Sequence, residues 1–142
     1  MAYRLTWHTE KQIALLSLYR ECSLEDFQAF TRELTEKYLD SSSGPVHVMV
    51  DMSCLERFPI QLVTIRAASS DFFRHLKLGK VVIVGRTNPL AGCIIDTLAR
   101  TFHVECLWAA DLEQARQLVS QPAHLVPFRQ MAHYKQSNPQ LP

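Results

Sequence analysis

The chain has 142 residues, 47% of them hydrophobic and 20% charged, and 15 Lys and Arg stand against 14 Asp and Glu for a formal net charge of +1. That length suits one globular domain with a core of ordinary size. The even charge balance argues against a dedicated nucleic-acid surface, which needs clustered cations, and no apolar run approaches the length of a membrane span.

The opening residues Met1–Lys11 lack the apolar centre of a signal peptide. The cysteines Cys22, Cys54, Cys93 and Cys106 form no Cys-x-x-Cys pair. They read as reduced thiols, and a cytoplasmic location is expected.

Tyr3, Leu5 and Trp7 alternate with polar residues, the period of a half-buried strand. A polar turn at residues 9–12 leads into a denser apolar strand, Ile13–Tyr19, so the chain is expected to open with a hairpin. Ser23-Leu-Glu-Asp26 is close to a capping box, and Glu25 and Asp26 suit the positive end of a helix dipole. Phe27, Phe30, Leu34 and Tyr38 then give one apolar stripe at helical spacing. Residues 40–45 (DSSSGP) form a breaker-rich loop.

Val46–Met52 is apolar on both faces apart from His47, the pattern of a strand in the middle of a sheet. A loop is expected over Asp51–Phe58. Pro59 then suits the first position of a helix, where its missing amide hydrogen costs nothing. That helix is expected to run to about Leu78, burying Leu62, Ile65, Phe72 and Leu76. Arg74, His75 and Lys77 fall in its last turns and Gly79 fits as its terminator. Lys80–Gly85 reads as a short buried strand. Asn88-Pro89 caps and opens another helix, with Ile94, Ile95, Leu98 and Phe102 facing inward. Val104–Ala109 is a last strand, and Asp111-Leu-Glu-Gln114 begins a helix ending near Gln121.

The order β-β-α-β-α-β-α-β-α implies a single α/β domain over residues 1–121, with a mixed, mostly parallel sheet, an N-terminal hairpin and four helices. Residues 122–142 are broken by Pro122, Pro127 and Pro139 and are rich in Gln and Asn. They are expected to form a partly disordered tail that docks through Val126, Phe128 and Met131.

Candidate site residues cluster where strands hand over to helices. Asp51 and Ser53 at the end of the central strand read either as a phosphoacceptor or hydroxyl site, or as side chains that bond nearby amides and shape the turn. Asn88 opens a helix beside Arg86, and a helix N-terminus attracts anions. The alternative is a capped helix carrying a buried Cys93. The six histidines form no ligand pair on one helix and no Cys/His cluster, so no metal site and no cofactor are expected. No Gly-x-Ser-x-Gly elbow is present, and the chain does not read as an enzyme. Phe72 and Phe73 point about 100° apart on a helix. Either Phe73, with Ile60 and Val63, offers apolar surface to a partner or a second copy, or the buried face is simply wide.

The element order, together with Val50-Asp51-Met52-Ser53-Cys54-Leu55, resembles the STAS (SpoIIAA-like) family of anti-sigma-factor antagonists and sulfate-transporter tails. Those six residues are similar to the family's Val-Asp-Leu-Ser-Gly-Val. Three residues later the antagonists carry Asp-Ser-Ser-Gly or Asp-Ser-Thr-Gly, which holds the phosphorylated hydroxyl. Here the matching stretch is Pro59-Ile60-Gln61-Leu62, with no hydroxyl. The resemblance implies a bacterial, non-catalytic regulatory module that binds a protein partner, of regulatory-kinase or sigma-factor-system type, without phospho-switching at that position. Asp51, Ser53, Arg57, Phe58, Phe73, Arg86 and Asn88 are the expected contact residues, and a homodimer is a further expectation. The alternative it leaves open is an anionic, nucleotide or lipid-like ligand near Asn88 and the loop after Asp51. Response-regulator receivers also keep an Asp at the end of a central strand. They need an acidic pair after an earlier strand, where this chain has Arg20-Glu21-Cys22.

Overall fold

The computed structural model describes residues 2–85 and 88–121. Arg86 and the segment 122–142, with its expected docking, lie outside the described residues. The strands are β1 (Tyr3–Thr9), β2 (Ile13–Glu21), β3 (Val46–Arg57), β4 (Leu78–Val84) and β5 (Cys106–Ala109). The helices are α1 (Leu24–Glu33), α2 (Leu62–Phe73), α3 (Pro89–Thr101) and α4 (Leu112–Ser120), and a π-helical segment, Leu34–Leu39, continues α1.

The strands lie side by side in chain order. β1 and β2 form the antiparallel hairpin, and the pairs β2–β3, β3–β4 and β4–β5 are parallel. β3 therefore sits in the middle, as its two apolar faces require. Each parallel step moves the same way across the sheet. Right-handed crossovers then place α1, α2 and α3 on one face. There Leu16, Leu18, Val48, Val50, Val81 and Ile83 meet Phe27, Phe30, Leu34, Ile65, Phe72, Ile94 and Leu98 in the main core. α4 follows the last strand and turns back onto the other face. Its Ala115 and Val119 pack against Ile13, Met49, Val82, Val84 and Ala109 in a smaller core.

Local chemistry sets the helix starts. Ser23 Oγ accepts from the Asp26 amide at 3.0 Å while Asp26 Oδ2 accepts from the Ser23 amide at 3.0 Å, a complete capping box. Asp111 Oδ1 accepts from the Gln114 amide at 2.8 Å, but Gln114 Oε1 reaches back to the amide of Ala110 (2.7 Å), one residue outside the cap.

The sequence reading departs from the structure around α2. Pro59 does not open the helix. Its ring is buried in a connector, and Gln61, still non-helical at φ −77° and ψ 84°, is the cap residue. The helix also stops at Phe73 instead of reaching Leu78. His75 Nε2 bonds Asp40 Oδ1 at 2.7 Å, and Lys77 donates its ammonium hydrogen to the Ser42 carbonyl. These polar partners, contributed by the turn after the π-helical segment, hold residues 75–77 out of a helix. Leu62 (53% exposed) and Leu76 (99%) are consequently at the surface, not in the buried face. Gly79 lies in β4 and terminates nothing. A Cβ there would sit 2.4 Å from His47 Nδ1, so the ring of His47 occupies the space a side chain would need.

Candidate functional site at the strand ends

β3 outruns β4. Its pairing with β4 ends at Asp51 opposite Val84, yet the strand continues to Arg57 beside β2. The region Asp51–Phe58 is therefore mostly strand, and the expected loop shrinks to the connector before α2. Two bulges make the extension possible. Between Ser17↔Asp51 and Tyr19↔Cys54, and again between Arg20↔Leu55 and Glu21↔Arg57, β3 carries one extra residue. Arg20, opposite the second bulge, adopts a left-handed φ of +50°, unusual for a non-glycine residue.

The first bulge builds the Asp51–Ser53 turn. Asp51 Oδ1 accepts from the Ser53 hydroxyl at 2.7 Å and from the Ser53 amide at 3.0 Å. This is the turn-shaping arrangement. Gly85 lies against it with φ +94°, where a Cβ would come within 3.1 Å of Ser53 Oγ. Asn88 serves two elements. Its Oδ1 accepts from the Ala91 amide at 3.0 Å, capping α3, and its Nδ2 donates to the Glu56 carbonyl at 3.0 Å, tying α3 to the extension of β3.

Arg57 faces Glu21 at 3.5 Å in an exposed ion pair, a type that contributes little stability. Phe58 packs edge-on against Phe27, with ring centroids 5.8 Å apart. An open cleft of about 250 Å³ runs between the start of α1 and this segment, lined by Glu21, Cys22, Ser23, Leu24, Arg57, Phe58, Pro59 and Gln61. A second open cleft of about 620 Å³ lies on the ribbon tip, among Ala2, Tyr19, Arg20, Glu21, Glu56 and Arg57.

Asp51, Ser53, Arg57, Phe58 and Asn88 thus gather at one end of the sheet. Phe73 does not join them. It is 5% exposed at the far end of α2, 4.9 Å from the Phe72 ring and stacked at 5.7 Å on Phe102. The wide buried face is the arrangement present, and Phe73, expected as a contact residue, offers no contact surface. Cys93 is exposed, not buried in α3.

The apolar surface near the strand ends comes from other residues. Ile60 is 63% exposed, Leu62 53%, Val63 85% and Leu90 60%. Leu62 and Leu90 escaped the sequence reading because each sits at helical spacing from core residues. α2 and α3 begin at the same end of the parallel strands, and the Asn88–Glu56 bond ties the start of α3 to the end of β3, from which the connector leads into α2. Among the described residues no three His, Cys, Asp or Glu side chains come together as metal ligands. No helix among those residues is long and apolar enough to cross a membrane.

No family model matches the chain, and no curated protein matches it in sequence. Solved structures do match its backbone. The unphosphorylated anti-sigma-factor antagonist SpoIIAA superposes with a TM-score of 0.58 at 11% identity, over 83% of this chain and 96% of that one. The phosphorylated form of SpoIIAA, the Bacillus cell-fate determinant, gives 0.53 at 11% identity over 83% and 99%. An anti-sigma-factor antagonist (STAS) domain protein from Planctomyces limnophilus gives 0.54 at 13% identity over 84% and 98%. The strand order, the N-terminal hairpin and this near-complete coverage establish that the chain has the SpoIIAA-like STAS fold in divergent form.

Proposed function

We propose that the protein is a non-catalytic regulatory module that binds a protein partner through the starts of α2 and α3. The observation that carries this reading is that four of the six exposed large hydrophobics among the described residues, Ile60, Leu62, Val63 and Leu90, fall at or just before the starts of α2 and α3. Apolar side chains held in water at a rigid helix start cost solvation until a partner covers them. Arg57, Glu56 and Gln61 supply a polar rim that fixes orientation. The fold it shares with SpoIIAA supports a partner from a sigma-factor regulatory system, such as an anti-sigma factor or a regulatory kinase. Pro59-Ile60-Gln61-Leu62 carries no hydroxyl where the STAS antagonists are phosphorylated. The contact is then constitutive at that position, governed by the amounts of the two proteins. The two clefts among the described residues are open and rimmed by charged groups, which favours protein contact over an enclosed small ligand.

The test uses Val63→Asp and Leu90→Asp in the full chain. Each should leave thermal unfolding within a few degrees of the parent and reduce capture of the partner from native lysate at least tenfold. Undiminished capture by both variants, or a tightly bound small molecule in place of a protein, would defeat the proposal.

A further inference from the structure

We propose that His47 is an acid-operated latch that holds α4 on the sheet. His47 projects from β3 onto the face that α4 covers, and its backbone amide donates to the carbonyl of Gln12, in the turn just before β2, at 2.9 Å. Its Nδ1 accepts from the amide of Lys80 in β4 at 2.8 Å. The ring fills the space above Gly79: a Cβ there would meet its Nδ1 at 2.4 Å and Cε1 at 2.6 Å, so a side chain at 79 would displace it. A nitrogen that accepts a backbone hydrogen has no room for a proton of its own. The neutral ring must carry its proton on Nε2, and the imidazolium must point one N–H at another.

Lys80 is the second half of the device. It is 7% exposed, and its ammonium donates to the carbonyls of Leu118 and Gln121. Those are carbonyls at the end of α4, where the helix ladder runs out; the Leu118 carbonyl also accepts from the Gln121 amide at 3.3 Å. The charged groups that act on His47 are this Lys80 and Glu105, just before β5. Burial and the Lys80 cation both disfavour the imidazolium, and Glu105 opposes them more weakly, so His47 is held below the ordinary histidine range. When acid does protonate the ring, the Lys80 amide loses its acceptor and two cations stand together in a half-buried place. Lys80 gives up the α4 carbonyls as it moves away.

α4 is the element that yields. It has nine residues and rests on Ala115 and Val119 with partial help from Leu112 and Leu118. Small units of this kind open well before the main core does. The sign follows from linkage. The native ring binds protons more weakly than the unfolded one. Its stabilisation is full above the ordinary value of about 6.5 and is lost as pH falls through that value towards the lowered native one.

The test follows the full chain by NMR from about pH 8 to about pH 5, the range that brackets an ordinary histidine. The His47 ring carbon is read beside amide exchange in α4 and α1, each corrected for its intrinsic pH dependence. Protection in α4 should fall with the same midpoint as the ring, by about tenfold for each unit by which the ring is lowered, while α1 holds. His47→Gln should flatten the α4 response. A ring that titrates without any change in α4, midpoints that differ, or an undiminished response in His47→Gln would each overturn the latch. If the variant does not fold, comparison of the two midpoints in the unaltered chain decides.

Discussion

Replacing Phe73 by Ala tests whether α2 is anchored by a pair of adjacent phenylalanines. Phe73 is 5% exposed and lies between Phe72 at 4.9 Å and Phe102 at 5.7 Å, and the Arg74 guanidinium sits 5.3 Å above the Phe102 ring. Truncating a phenylalanine buried this deeply costs about 3–5 kcal/mol. Aromatic pairing supplies about 0.5–1.5 kcal/mol of that per pair. The two neighbouring rings, Phe72 on α2 and Phe102 at the end of α3, are held by their own helices and cannot both close on the space. With a urea slope of about 2 kcal/mol/M, the unfolding midpoint should fall by roughly 2 M. Val63→Ala is the control. Val63 is 85% exposed in the first turn at the other end of the same helix, and surface changes of this kind stay within about 0.5 kcal/mol. Urea titrations followed by circular dichroism and by tryptophan fluorescence measure both. A loss below about 1 kcal/mol for Phe73→Ala, or equal losses for the two variants, would refute the assignment of Phe73 to the core.

Ser23→Ala removes one half of the capping box and should cost about 1 kcal/mol, seen as a drop of a few degrees in Tm. Native protein treated with an aromatic disulfide reagent should be labelled at exposed Cys54 and Cys93, located by peptide mass. Cys22 should resist, because burial first and then Asp26 push its thiol up to about 12. Cys106 should resist as well, pushed up by burial and then by Asp96, and labelling of either in the folded state would contradict the packing. Tyr3 is raised to about 12, first by burial and then by the hydrogen bond it donates to Glu33 at 3.0 Å. Its contribution to stability is therefore full below about pH 10, the ordinary tyrosine value, and is lost as pH rises through about 12. Ultraviolet titration of wild type against Tyr3→Phe should show one late-ionising tyrosine missing in the variant.

The fold was readable because its determinants are local. Alternation over Tyr3–Trp7, the capping residues Ser23, Asn88 and Asp111, and the unbroken apolar run Val46–Met52 each act within a few residues of themselves. They gave the element order, and the element order with right-handed crossovers leaves few topologies. The ends of α2 were not readable for a related reason. His75 and Lys77 look like the cationic last turn of a helix. What they do is decided by Asp40 and Ser42, more than thirty residues earlier in the chain. Leu76, left outside the helix, then turns to solvent. Phe73 shows the opposite effect. Its position off the main stripe left exposure and a wide buried face both open, and Phe102, arriving from the end of α3, covers it.

The candidate site resisted reading because it is made by register. A bulge adds one residue and reverses the alternation beyond it. With two of them in β3, no count of apolar and polar positions past Asp51 predicts which side chains face outward. Ser53 and Cys54 are consecutive and both exposed, which a regular strand with one buried face does not allow. The same extra residues carry the strand past the end of β4, and this brings Glu56 to Asn88 and fixes the start of α3 against the end of β3. The exposed leucines and valine at those helix starts are thus a consequence of strand register. A change that removed the first bulge, deletion of Ser53, should move Leu55 out of the core and Glu56 into it. That deletion should cost far more stability than any substitution at Ser53, and equal stability of the deletion and Ser53→Ala, measured by urea titration, would show that the bulge does not set the site.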